Sequence, residues 1–559
     1  MEPRPARTPP VAPLHARPRD LRRGPPRAPT RPRSTDAQLP HRVAEHPDPG
    51  AGRRLHAGAL DRGAAKLSIF REGLTRERVW GPTLVPSLQA QTPPSDAWKN
   101  GAAWPTSLQL AIPSDWSPGA YAYEVDDGDG IVPGTFVVRE PHQTARLLLL
   151  YPNHTDQAYN EWGGHSYYSA SASPVVALER PLLGKIEYYA AAVHLLRWLS
   201  REGIPFAMGN DDDLAERPEY VDRYPAVAVV GHSEYWTRPM RVNLERTLAR
   251  GGAVLVLGGN VCWWQSRLEL DAGVRRLVCY KYEAAHDPYQ RIDPSLDTTY
   301  WDEPPLNEPA NLFLGLSWRE GGMVNYDQHS YCPCDYDWLL GYGGYRSAHT
   351  DHWAFEGTGL APGDQFGRDD AIVGYEVDGT RLRWDEGEPS VTGEGGTSPG
   401  FVVLGTSPCW NEYNADTTGV AVMGIEERNG GFVFHGGTIG WAFGLEHDRA
   451  VQTLTRNLLR HAIARDALAP LVLDLSVMPN PTRDELVVTG DLPTGTWRGS
   501  PPRIRCYDAS GRKIDTLLGS VDLGARFIAR WNPRRRGLPG GVYWLEVGHQ
   551  RTRAVLLPR

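Results

Sequence analysis

The stretch Pro225 to Trp236, PAVAVVGHSEYW, ends an apolar, β-branched run in a histidine and a carboxylate, His232 and Glu234. Ligands of open α/β sheets collect just past the carboxyl ends of the parallel strands. A glutamate delivered to that edge is placed for acid–base or metal chemistry, and Glu234 is the first candidate for a working carboxylate. A second apolar run, AVLVLGGNVCWW, ends in Gly258-Gly259-Asn260, which sets Asn260 26 residues after Glu234. Two further segments carry groups of the same kind. DAIVGYEVDG puts Glu376 and Asp378 near the end of a strand-like run, and NHTDQAYNEWGGHSYYSA, a loop by its composition, is full of groups that donate, accept or ligate.

These residues need a scaffold, and the segments between them supply one. TRPMRVNLERTLARGG joins the two apolar runs, with Thr237 as N-cap, a stripe through Met240, Leu244 and Leu248, and two glycines as a stop. Strand, helix, strand in that order is a βαβ unit, whose right-handed crossover makes the strands parallel neighbours. His232, Glu234 and Asn260 then share one rim. ARLLLLYP opens the same sheet, a helix follows over 185–201, and PFAMGNDDDL gives a strand ending in Asp211 to Asp213. That acid cluster reads equally as a rim feature and as the cap of the short helix after it. GFVFHGGTIGWAFGL is a last strand with a Gly-rich turn, and RAVQTLTRNLLRHAIARDA an amphipathic closing helix.

At 559 residues the chain exceeds one hydrophobic core, and several domains are expected. A net charge of −8 and a pI near 6.1 leave no basic groove for a nucleic acid. Six cysteines, scattered except for Cys332-Pro-Cys334, make neither a disulfide framework nor a complete metal site. No run of 18 apolar residues exists, so no membrane span is expected.

The expected layout is multidomain α/β plus all-β. Residues 1–65 form an Arg/Pro-rich tail, expected to be disordered for want of apolar side chains to bury. Residues 66–140 alternate in short strands, predicting an immunoglobulin-like β-sandwich. In it, DDGDG at Asp126 to Gly130 reads as a solvated turn rather than a calcium loop. Residues 144–466 hold the α/β domain, in which 265–397, rich in Trp, Tyr, Asp and Gly, supplies loops and ribbons over the rim. Residues 471–559 are again all-β.

With GHSEYW, GGN and AYNEWGGHSYY in view, the middle of the chain resembles the large catalytic subunit of bacterial N,N-dimethylformamidase and its relatives. The resemblance covers about Ala145 to Asp466, and the preceding β region is similar to the one that accompanies it there. It implies a three-layer domain of glutamine-amidotransferase or flavodoxin-like type, with a mononuclear Fe(III) held by two tyrosines and a glutamate. Position by position, those correspond to Tyr159, Tyr168 and Glu234. His232 and Asn260 are implied to line the same pocket, and Glu376 to be its further acid. Only eight residues separate Tyr159 from Tyr168, a shorter connection than in the amidase, which implies a pocket shape of its own. The C-terminal segment resembles flagellar hook-capping Ig-like modules and type IX secretion sorting domains, carried by PNPTRDELVV, YDASGRKIDTL and GLPGGVYWLEV. That implies a secreted or cell-surface protein, although no signal peptide is visible in the first residues.

The residue types agree with the chemistry so implied. Three anionic oxygens are a hard donor set suited to Fe(III), and a metal there polarises an amide carbonyl and acidifies water. Asn260 can donate to a developing oxyanion, His232 can orient Glu234 or shuttle a proton, and Glu376 can serve as general base or acid. The plainer reading makes each tyrosine a packed aromatic and Glu376 a salt-bridged acid. The expected function is therefore iron-dependent hydrolysis of a small amide, with a small accessory subunit and a homo-oligomer left open. A non-catalytic exported binding protein, for glycans or another ligand on the Trp- and Tyr-rich surface, is the alternative.

Overall fold

The computed structural model describes residues 42–45, 65–85, 93–126, 128, 131–169, 172–181, 187–324, 342–411, 418–464, 473–491, 503–509, 512–521, 526–547 and 550–558. They form a mixed, strand-rich chain of several sheets and few helices. Cys332 and Cys334 lie outside the described residues, as does most of the DDGDG turn. Among the described residues Cys262, Cys279, Cys409 and Cys506 are buried free thiols. No helix among them is long and apolar enough to cross a membrane.

The central region opens on β1 (Leu147–Tyr151), which runs directly into α1 (Asn153–Tyr159). Helix α2 (Glu187–Glu202), β2 (Ala207–Asn210), β3 (Ala226–His232), α3 (Arg238–Ala249) and β4 (Ala253–Gly259) follow. Much later come β5 (Tyr375–Gly379), β6 (Gly431–His435) and α4 (Arg449–Ile463). Strands β2, β1, β3, β4 and β6 lie side by side in that order, every pair parallel. Beyond β6 the sheet continues antiparallel through Thr418–Arg428 and Val402–Trp410.

Period-two alternation divides the parallel strands between two cores. Leu147, Leu149, Ala228 and Leu255 pack with Leu195, Leu196, Leu454 and Leu458 of α2 and α4. Leu148, Leu150, Val227 and Val254 pack with Met240, Leu244 and Leu248 of α3. Strands covered on both faces have no polar side to show, which is why they read as unbroken apolar runs. The Thr237 hydroxyl caps α3 by accepting from the Met240 N–H, as its position before the apolar stripe predicts.

Three expectations change, and for Asp211 to Asp213 the structure decides between two open readings. Residues 153–159 are helical rather than loop. The helix carries no apolar stripe to betray it, because its buried side chains are polar and find distant partners: the His154 N–H donates to Asp211, and Thr155 Oγ1 accepts from the Glu234 N–H. Asp211 to Asp213 cap and begin the helix Asp211–Glu216, with Asn210 accepting from the Asp213 N–H. The described part of 66–140 forms one sheet rather than two. Its core face is covered by the non-strand residues Leu108, Leu110, Ile112 and Trp116. One strand of that sheet, Arg42–Glu45, falls within the stretch expected to be disordered.

The C-terminal residues do form two antiparallel sheets of four strands, which share one core that includes Val488, Phe527, Cys506 and Leu545.

Candidate functional site

Strands β3 and β4 are in parallel register with His232 opposite Gly259, so both end at one level and release Glu234 and Asn260 onto the same rim. Asn260 takes a left-handed backbone (φ 45°), which asparagine adopts more readily than most residues. The chain then turns back against the end of β3: the N–H groups of Trp263 and Trp264 donate to the Glu234 carbonyl at 3.0 and 3.1 Å. This return puts the Trp264 indole beside the Glu234 side chain.

Gly259 is where the third segment enters. A Cβ there would lie 2.9 Å from the carbonyl oxygen of Glu376 and 2.7 Å from the nitrogen of Ile439. The missing side chain is thus what lets β5 pass close to the strand ends and bring Glu376 to the rim.

The two tyrosines arrive from the far side. Tyr159 is the last residue of α1, and Tyr168 lies in the turn that follows. Arg180 ties that turn down, its buried guanidinium donating to the carbonyls of Gln157, Trp162, His165 and Ala177. The Ser166 hydroxyl accepts from the N–H groups of Tyr168 and Ser169. With the backbone held in this way, both phenols meet one carboxylate. The Tyr159 hydroxyl is 2.8 Å from Glu234 Oε2, and the Tyr168 hydroxyl 2.9 Å from Oε1 and 3.1 Å from Oε2. The two rings stack with centroids 4.2 Å apart. Tyr168 is 42% exposed as a residue, but its hydroxyl points inward onto the carboxylate.

Around this centre stand groups that the motifs did not reveal. Trp264 Nε1–H donates to Glu234 Oε1 at 2.9 Å, and the Tyr235 hydroxyl donates to that of Tyr168 at 2.5 Å. The Lys281 ammonium sits 3.4 Å from the centroid of the Tyr168 ring. Lys281 had one overlooked signal, its scarcity, since the chain has only five lysines and this one lies among aromatics.

His232 differs from expectation. It is fully buried and is not among the residues lining the cavity; it lies behind them, with Nε2 3.4 Å from Glu234 Oε2, 3.2 Å from Glu376 Oε2 and 3.4 Å from the Tyr159 hydroxyl. Burial opposes its charge, but the two carboxylates outweigh burial and raise His232 to about 9. Burial would likewise raise Glu234, yet His232, Lys281 and the Tyr159 hydroxyl hold it below the usual carboxylate range. Glu376 goes the other way: burial and the neighbouring Glu234 push it upward against the pull of His232. Burial drives the Tyr168 phenol well above 10, reinforced by the adjacent Glu234. Two carboxylates in one dry site are thus pushed apart, Glu234 held ionised and Glu376 poised to carry a proton.

Tyr159, Tyr168, Glu234, Asn260 and Glu376 line one cavity of about 470 Å³ together with Trp263, Trp264 and Trp318. Asn260 stands near enough to Glu376 to lower its pKa slightly against the effect of burial, and its Oδ1 is a buried acceptor with no partner among the described residues. All six residues singled out from sequence therefore converge, five in the cavity wall and His232 behind it. No cluster of three His, Cys, Asp or Glu side chains able to hold a metal occurs among the described residues, so any cation here depends on the phenols.

A family model described as N,N-dimethylformamidase beta subunit-like, C-terminal, matches residues 66–453. The N,N-dimethylformamidase beta subunit of Paracoccus aminophilus is 24% identical over 415 residues, covering 66% of this chain and 50% of that protein. The protein of the same description from Alcaligenes sp is 23% identical over 417 residues, with the same coverage. The chain thus spans about half the length of the curated relatives it matches.

Proposed function

The chain belongs to the N,N-dimethylformamidase beta subunit-like family, and from that premise we propose that it hydrolyses an amide C–N bond at a single Fe(III) held by Tyr159, Tyr168 and Glu234. The observation that carries this reading is the meeting of two phenol hydroxyls on one buried carboxylate at 2.8 and 2.9 Å. Oxygen atoms gathered this closely would let Tyr159, Tyr168 and Glu234 serve one cation together. Once the phenols lose their protons, the set carries three negative charges and only hard donors, matching a trivalent cation. Trp264 and Tyr235, which donate to Glu234 and Tyr168, would orient these donors from outside. Bound there, the ion would polarise the amide carbonyl and make water more acidic.

The chain's own groups supply the rest. Glu376, held neutral or ionised near neutrality by its buried setting, takes a proton from the attacking water and returns it to the leaving nitrogen. His232 bridges Glu376 and Glu234, fixing both carboxylates and stabilising the charge that moves between them. Asn260 stands beside Glu376 at the strand end, where its amide N–H can meet the substrate oxygen.

The helices on both faces of the parallel strands support a three-layer, flavodoxin- or glutamine-amidotransferase-like assignment for this region. Export is proposed on the resemblance of PNPTRDELVV, YDASGRKIDTL and GLPGGVYWLEV alone, and cell fractionation tests it: an exclusively cytosolic pool overturns it. The relatives' description as a beta subunit supports a small accessory partner, to be sought by co-purification.

The central test is metal analysis of the purified chain together with its visible spectrum. One equivalent of iron with a tyrosinate-to-iron absorption band, and amide hydrolysis lost on chelation, is the expected result. A colourless, iron-free protein that binds ligands without turning over amides would instead favour the binding-protein reading.

A further inference from the structure

We propose that Asp378 and His435 are positioning residues for Glu376: a second acid–histidine contact that holds β5 in place across the ends of the parallel strands. This inference rests on the hydrolase reading and deepens it, since Glu376 is the proton carrier there.

Two histidines end strands of the parallel sheet, His232 at the end of β3 and His435 at the end of β6, with β4 between them. β5 meets both. Glu376 Oε2 lies 3.2 Å from His232 Nε2, and Asp378 Oδ2 lies 3.0 Å from His435 Nε2. Residues two apart on a strand share a face, so one face of β5 carries both acids, and Val377 between them turns into the core shared with α2 and α4. The backbone is tied at the same point, where the Asp378 N–H donates to the Gly437 carbonyl at 2.9 Å.

β5 needs such a hold. It begins on Tyr375, whose backbone is left-handed (φ 54°), a conformation that a bulky residue keeps only where its surroundings impose it. Its antiparallel partner, Ser317–Val324, does not fix the register there. Val377 pairs with Gly322 but Gly379 with Ser317, so the ladder is interrupted at Asp378. A slip of one residue would turn Glu376 away from His232 and put Val377 in its place. Asp378 and His435 grip the strand where the ladder gives way.

The pair is too poorly satisfied to be a brace alone. Both side chains are fully buried. His435 has an acceptor at each ring nitrogen, Asp378 at Nε2 and the Leu314 carbonyl 3.3 Å from Nδ1. Asp378 Oδ1, by contrast, has no partner among the described residues. The comparable buried acid Asp287 accepts from the Tyr289 N–H, the Thr298 N–H and hydroxyl, and the Arg267 guanidinium. A carboxylate kept in a dry place with one oxygen unpaired costs stability, and folds keep such groups where a functional site depends on them.

The test uses the full chain. Removing one partner strands a buried charge, so the pair is exchanged as a whole, Asp378→Leu with His435→Leu. Beside it stands the isosteric Asp378→Asn, whose amide oxygen still accepts from His435. In crystal structures of the metal-free protein, a readout independent of turnover, the leucine pair is expected to part Glu376 from His232 and Asp378→Asn to keep them in contact. Contact retained in the leucine pair overturns the proposal. In the iron-loaded protein, the leucine pair is expected to lower kcat at least about tenfold with KM and iron content unchanged, and Asp378→Asn to stay within about threefold of the parent. Added to Glu376→Gln, the leucine pair should cost no more than about twofold further, because residues acting through one group are not additive. A loss that multiplies with that of Glu376→Gln overturns the proposal, as does an Asp378→Asn variant as slow as the leucine pair. Should the leucine pair not fold, Asp378→Ala takes its place in both arms. The two readings fail separately. A parent that turns over no amide sinks the hydrolase while the crystal structures still decide the positioning, and amide turnover with an unmoved Glu376 sinks the positioning alone.

Discussion

The guanidinium of Arg180 donates to the carbonyl of Trp162 at 2.9 Å, in the middle of the short segment that separates Tyr159 from Tyr168. The same cation reaches the carbonyls of Gln157 at 2.6 Å, His165 at 3.0 Å and Ala177 at 3.1 Å, and burial lowers its pKa to about 9. A charge buried among carbonyls sets the gap between the two phenols. Arg180→Met takes the guanidinium away from four carbonyls, of which, among the described residues, only that of Gln157 keeps a second donor, the Asn160 N–H, and each buried acceptor left unpaired costs about 1–3 kcal/mol. A loss of at least about 3 kcal/mol in urea unfolding is expected, with iron retention falling alongside it. A change below about 1 kcal/mol would show that the turn holds itself.

Glu234 accepts from Tyr159, Tyr168 and Trp264 at once, so its removal dismantles the donor set rather than trimming it. Glu234→Ala is expected to abolish stoichiometric iron and lower amide hydrolysis by at least about 1,000-fold, a scale usual for loss of an essential group. Tyr168→Phe keeps the stacked ring and removes only the oxygen, so it should weaken the visible band while the fold stays intact. Iron content equal to that of the parent in both variants refutes the ligand assignment.

Glu376 lies next to His232 without touching either phenol in the hydrogen-bond network. Glu376→Gln should therefore retain iron and the visible band but lose about 10²–10⁴ in kcat, the usual contribution of a general base. Single-turnover assays and metal analysis on one preparation decide it. Loss of iron in this variant would move Glu376 into the ligand set.

Gly259 separates structure from chemistry. A methyl at this position meets the Glu376 carbonyl at 2.9 Å and the Ile439 nitrogen at 2.7 Å, both backbone atoms that cannot swing aside. Gly259→Ala is expected to displace β5 and reduce activity at least about tenfold, while Tyr159, Tyr168 and Glu234 still bind iron. Unchanged kinetics would mean that the position of β5 does not matter to catalysis.

Native stability should fall between pH 6 and pH 8. Burial raises Asp211 to about 7 and Asp213 to about 6, and His154 is raised because Asp212 and Asp211 outweigh its own burial. In each case the folded pKa lies above the unfolded one, so the native chain holds protons that the unfolded chain has released. The His154 contribution is complete below about 6.5 and is lost as pH rises through its folded value. The cost of ionising the two acids begins above about 3.9 and is complete past pH 7. Asp212, held below the usual range, acts only at lower pH. Urea midpoints should drop by the equivalent of at least about 1–2 kcal/mol from pH 6 to pH 8, since the raised His232 and Glu376 act in the same direction, and Asp211→Asn should reduce that drop. A rise over this interval would contradict these shifts.

The sequence alone determined the βαβ unit and the shared rim of Glu234 and Asn260. Short apolar, β-branched runs bounded by glycine turns read as strands covered on both sides, and Thr237 before a helical stripe is a local cap whose energetics involve residues three positions apart. Which tyrosines to watch comes from the family resemblance carried by AYNEWGGHSYY, which implies roles for Tyr159 and Tyr168, while Glu376 stands out as an acid near the end of a strand-like run. The sequence alone makes Asn153–Tyr159 a loop, since a short helix with buried polar side chains leaves no periodicity for the eye to catch.

Only the tertiary structure decided that the two phenol oxygens meet one carboxylate, that His232 stands behind the cavity, that β5 brings Glu376 past Gly259, and that Trp264, Lys281 and Arg180 belong to the site. Each of these is a contact between segments far apart in the chain, fixed by packing distances of a few ångströms. Backbone propensities and hydrophobic periodicity act over a few neighbouring residues. They build the strands and helices, and the meeting of oxygens across them is settled by how those elements pack.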